Sequence, residues 1–85
     1  MRSTESVITE IVEAYNGRFG QWVRITEIAE KAGLTRDELT EALTDLMNDE
    51  DFRAEPEPFG HRITAADKAI GPVIGGEARH LICWY

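Results

Sequence analysis

Asp37, Glu41 and Asp45 recur at four-residue spacing within RDELTEALTDL. On a helix that spacing stacks three carboxylates along one face. Nine Arg and Lys residues stand against them, among them Arg24, Arg36, Arg53, Arg62 and Arg79. Guanidinium groups grip phosphates and carboxylates, and carboxylates attract cations. The chemistry on offer is ionic recognition of a macromolecular partner. Covalent chemistry has no comparable set. His61 and His80 lack the spacing of a zinc site, and Cys83 has no second thiol. Serine occurs at positions 3 and 6 alone, which leaves a Ser–His–Asp arrangement without a placed nucleophile. Gly71, Gly75 and Gly76 lack the Lys and Ser/Thr of a phosphate-binding loop. The residues read as those of a non-enzyme with no cofactor and no metal.

Ionic side chains need a scaffold, and the apolar spacing supplies one. Val7, Ile8, Ile11, Val12 and Tyr15 make the stripe of a helix from about Thr4 to Asn16, stopped by Gly17. Trp22–Ile25 reads as a short strand. Thr26 is placed to cap a second helix, Glu27 to Ala32, with Ile28, Ala29 and Ala32 inward. Gly33 ends it in the left-handed conformation, and Leu34 plugs the turn. Thr35 and Glu38 have the spacing of a capping box, which starts a third helix running to about Asn48. Leu39, Ala42, Leu43, Leu46 and Met47 are its inward stripe.

Phe52–Glu55 alternates like a strand, broken by Pro56 and Pro58. Arg62–Ile63 is expected to resume it briefly. Thr64 again caps a short helix, through Ile70, and Gly71–Pro72 ends it. Gly75–Gly76 marks a flexible turn. The apolar run His80–Tyr85 is expected to close the fold as a strand antiparallel to Phe52–Glu55. One side of that strand faces the core. The other is expected to lie under Ile70, Val73 and Ile74, with self-association through it as the alternative.

Eighty-five residues suit one domain, with hydrophobic content of 42% and charged content of 29%. The net charge of −7 is uneven: residues 1–51 hold five basic and twelve acidic residues, while 52–85 hold four of each. That field repels polyanions at long range. No apolar run nears the roughly 20 residues of a bilayer span. MRSTESVITE lacks the apolar segment of a signal peptide, so a cytoplasmic protein with no membrane partner is expected. Cys83, within LICWY, reads as a small buried hydrophobe.

Three helices followed by paired strands resemble the MarR-like and related winged-helix regulators over residues 7–55. The resemblance is carried by Ile28-Ala29, Gly33-Leu34-Thr35, Leu39, Leu43, Leu46 and the strand from Phe52. It implies an α+β winged helix-turn-helix spanning 1–85 as a single domain. The three-helix core covers 4–48, and the β-hairpin wing covers 52–85 with an enlarged segment that holds a short helical turn. It also implies that the third helix enters the major groove of double-stranded DNA, as in a DNA-binding regulator or accessory factor. Arg24, Arg36, Thr40, Glu41, Thr44, Arg53, Arg62 and Arg79 are then the DNA-binding candidates. The chain departs from that family in its acidic third helix and in the absence of the extra helices that build the dimer, so a monomer or weak homodimer is expected. The alternative is a protein-interaction module using Asp37, Glu41 and Asp45, or Trp84 and Tyr85. Convergence of the arginines beside the third helix favours DNA; their dispersal favours a protein partner.

Overall fold

Val7, Ile11 and Tyr15 are buried along one side of the first helix, α1 (Thr4–Tyr15), and around them the other elements assemble. The computed structural model describes residues 2–85. After α1 come β1 (Val23–Arg24), α2 (Ile25–Ala32), α3 (Arg36–Leu46), β2 (Phe52–Glu55) and a 3-10 turn (Gly60–Arg62). Then follow α4 (Ala65–Ile70), β3 (Val73–Ile74), β4 (Glu77–Ala78) and β5 (Leu81–Trp84). The described residues form a small α+β fold of four α-helices and a small antiparallel sheet. None of those helices is long and apolar enough to cross a membrane.

The caps explain most of the boundaries. Ser3 accepts from the Ser6 amide to start α1. The helix stops one residue earlier than Gly17 suggests, because Asn16 itself adopts the left-handed conformation at φ 56°. The second helix begins at Ile25, ahead of the expected Thr26 cap. Ile25 is buried and its amide donates to the His80 carbonyl at 2.9 Å, so β1 runs straight into α2. Gly33 ends α2 at φ 65°, and Leu34 is buried beneath the turn. Thr35 and Glu38 form the expected capping box, each side chain bonded to the other's amide, at 3.2 and 3.0 Å. The buried side of α3 is Glu38, Leu39, Ala42 and Leu43, with Leu46 and Met47 partly buried beyond them.

The three-stranded sheet has the order β1–β5–β2, all antiparallel. The strand pairing expected between β2 and β5 is present, with Phe52 opposite Trp84 and Ala54 opposite Ile82. Strand alternation sends Val23, Phe52, Ala54, Ile82 and Trp84 to the helical side. Trp84 stacks edge-on against Tyr15 at 4.9 Å and Phe52 at 4.7 Å. The Tyr15 hydroxyl accepts from the Trp84 amide at 3.2 Å and lies 2.7 Å from the carbonyls of Arg18 and Gln21. Burial raises its pKa above the ordinary tyrosine value.

Residues 56–80 differ most from the sequence expectation. Arg62–Ile63 does not resume the strand, because the Arg62 and Ile63 amides turn back on the Phe59 and Gly60 carbonyls. α4 forms as expected on a Thr64–Asp67 capping box. Gly75 and Gly76, at φ 62° and 80°, make a tight turn that pairs β3 with β4 as an additional hairpin. His80 precedes β5 rather than joining it, and its buried Nδ1 accepts from the Glu57 amide at 2.9 Å. Ile70 and Ile74 pack on the main core and Val73 is exposed, so they do not cover the outer face of β5.

Leu43 is fully buried at the centre of this packing. Leu43→Ala is expected to cost about 2–5 kcal/mol. Urea unfolding monitored by circular dichroism measures this, and an unchanged midpoint would contradict the packing described.

Candidate functional site

The outer face of α3 presents Asp37, Glu41, Thr44 and Asp45 to solvent, and Asn48 is exposed just past the helix, which ends at Leu46 and not at the expected Asn48. Thr40 is half-buried, and its hydroxyl donates to the Arg36 carbonyl at 2.8 Å. The Thr44 hydroxyl donates to the Thr40 carbonyl at 2.6 Å. Both hydroxyl protons are therefore spent within the helix. What α3 offers outward is anionic.

The cations do not gather there. Arg24 Nη1 meets Asp67 Oδ2 at 2.8 Å, and its Nη2 meets Glu57 Oε2 at 3.0 Å. A third bond, at 3.3 Å, goes to the Arg62 carbonyl. Asp67 and Glu57 are almost fully buried, with side-chain exposures of 1% and 6%. Arg36 donates to the Lys68 carbonyl at 2.7 Å, joining the first residue of α3 to α4. Arg79 is turned inward, donating to the carbonyls of Ala54 and Ile74, with Glu77 at 3.9 Å. Arg62 lies over the Phe59 ring at 5.0 Å. Arg53 is exposed opposite Cys83. Alternation puts it on the side of the sheet away from Phe52 and Ala54, and hence away from the helices. Arg18 and Lys31 both pair with Glu27, and Arg2 pairs with Glu10.

Asp67 is the buried end of this network. Burial opposes its charge. The Thr64 amide, Arg24, and the Thr64 and Thr26 hydroxyls outweigh that cost and hold its carboxyl below the usual aspartate range. The sequence marks Thr64 as a helix cap but carries no sign of the Arg24–Asp67 contact. Forty-three positions separate the two residues, and no local signal spans that distance.

The second surface is the outer face of the sheet. Trp22, Glu55, Pro56, Pro58 and Leu81 line a shallow groove of about 370 Å³. Trp22 and Tyr85 meet edge-on at 6.4 Å and are 45% and 62% exposed. Trp84 points the other way, into the core. Of the two aromatic candidates at the end of β5, Tyr85 is the one that faces solvent. Cys83 is fully buried, as its sequence context suggests. Among the described residues, no group of His, Cys, Asp and Glu has the geometry of a metal site. Comparison with family models, curated proteins and solved structures finds no match to this chain.

A carboxyl whose folded pKa lies below its unfolded value, about 3.9, stabilises the fold above that pH. The contribution disappears as pH falls toward the folded pKa. Asp67→Asn is expected to lower stability by about 1–3 kcal/mol at neutral pH. It should also flatten the decline in melting temperature between about pH 5 and pH 2. Parallel melting curves for the two proteins across that range would show that Asp67 carries no such charge.

Proposed function

We propose that this chain is a winged helix-turn-helix acting as a protein-interaction module, whose α3 face docks a basic segment of a partner protein. The order of helices and the strand order β1–β5–β2 fit the winged arrangement that the sequence resembles. The observation carrying the functional reading is the dispersal of the arginines. Arg24 and Arg79 are committed to internal partners, and Arg53 lies across the sheet from α3. Phosphate neutralisation, which supplies most non-specific affinity for DNA, needs free Lys or Arg beside the groove-facing helix. Asp37, Glu41 and Asp45 stand exposed in that position instead. Their field would repel a duplex and would steer a cationic protein surface toward α3.

An arginine-rich synthetic peptide is a suitable probe, followed by amide chemical shifts. The expected shifts cluster on Asp37, Glu41, Thr44, Asp45 and Asn48. Glu41→Gln/Asp45→Asn should weaken the peptide by about tenfold, or ~1.4 kcal/mol. The equally charged control Glu5→Gln/Glu13→Gln, on the exposed side of α1, should leave affinity nearly unchanged. Equal losses in both variants would reduce the effect to net charge and remove α3 as the site. Saturable duplex DNA binding by the native chain at about 50 mM salt would also overturn the reading.

A further inference from the structure

The outer face of the three-stranded sheet is occupied at one end, where Glu57 and Asp67 reach Arg24. Toward Tyr85 it is open, and Trp22, Arg53 and Tyr85 are exposed there. Register and alternation fix how these side chains are laid out. Arg24 of β1 and Glu55 of β2 stand on either side of Leu81. The next row along the strands is Trp22, Cys83 and Arg53. Pairing sets Arg53 opposite Cys83. Trp22 precedes the inward-facing Val23, shares a groove with Leu81 and meets Tyr85 edge-on, which puts it on the other side of Cys83. Tyr85 ends the middle column, and Cys83 is buried within it. The open end of the face is thus an apolar column flanked by an indole on the β1 side and a guanidinium on the β2 side.

We propose that this face binds a second copy of the chain, about a two-fold axis running along β5. Such an axis keeps the rows in place and exchanges the flanking columns. Trp22 of each copy then lies against Arg53 of the other, which makes two cation–π pairs per dimer. Tyr85 meets its own equivalent between them and is withdrawn from water. A two-fold axis across the strands at Cys83 would set Arg53 against Arg53, so charge selects the first arrangement. The face carries both halves of the pair it needs, and that self-complementarity is what favours a second copy as its occupant. Strands of two to four residues make a small face. Small interfaces belong to the weak and transient class, so the dimer is expected to have a Kd on the order of 0.1 mM. This face lies away from α3, and the dimer stands or falls independently of the basic partner.

Sedimentation velocity tests this at about 150 mM salt, where the net charge of −7 on each copy is screened beyond roughly 8 Å. Over about 0.01 to 1 mM protein, the sedimentation coefficient should rise toward that of a dimer. Arg53→Gln should weaken the dimer about tenfold, because two cation–π pairs are lost at once. Lys68→Gln, an equal change of charge at an exposed position of α4, should leave it intact. A second measurement uses the native sequence alone. In a mixture of isotope-labelled and unlabelled chains, filtered NOEs should join the Trp22 indole of one copy to the Arg53 side chain of the other. A sedimentation coefficient that stays constant to the highest concentration would overturn the proposal. So would a dimer that the two variants weaken equally, or filtered contacts that fall on α3 or another face.

Discussion

β5 sits between two strands that both precede it in the chain, and the rest of the architecture follows from that constraint. Ile82 pairs with Val23 on one side and with Ala54 on the other. Neither β1 nor β2 has another neighbour in that sheet, so without β5 there is no sheet. The same strand anchors the end of α1, because Trp84 gives its amide to Tyr15 and its carbonyl to Gly20. Antiparallel pairing of β2 with β5 could be closed by a turn of a few residues. Here residues 56–80 make the connection, and the surplus has to be laid over the surface. Arg24 decides where it lies, by drawing Glu57 and Asp67 to the start of α2.

That placement changes what the arginines mean. Each is a mobile cation when seen in sequence, equally able to meet a phosphate or an internal carboxylate. In the fold, Arg24 and Arg79 act as structural fasteners between elements distant in the chain. The planar guanidinium suits this role, since one group can satisfy two or three acceptors in fixed directions. The acids divide likewise. Glu57 and Asp67 are consumed in the interior, whereas Asp37, Glu41 and Asp45 stay at the surface.

The helical half was legible because its signals are local. Thr35 and Glu38 are three residues apart, Gly33 sits where a left-handed turn is needed, and Leu39, Ala42 and Leu43 share one face by period alone. The β2–β5 pairing was legible from two apolar strand patterns separated by breakers. The second hairpin was readable in principle, since adjacent glycines between Ile74 and Glu77 fit a two-residue turn. The start of α2 was misplaced because burial of Ile25 outweighs the capping preference of Thr26. The outer face of β5 was misassigned because the Arg24 ion pairs carry the connecting segment toward α2. Contacts of that kind depend on the finished topology and leave no pattern in a short window of sequence.

Arg79 shows a further use of a buried charge. β2 is an edge strand, and the carbonyl of Ala54 belongs to the set that a central strand would spend on a neighbour. Arg79 takes that carbonyl at 2.9 Å, and the carbonyl of Ile74 with the same group. That acceptor on the β2 edge is thereby taken, and a positive charge is fixed beside it. A strand from another molecule arriving there finds an acceptor already occupied and a cation to desolvate. One acceptor of the β2 edge is thus withdrawn from pairing with a further strand, while β1 forms the other edge of the sheet.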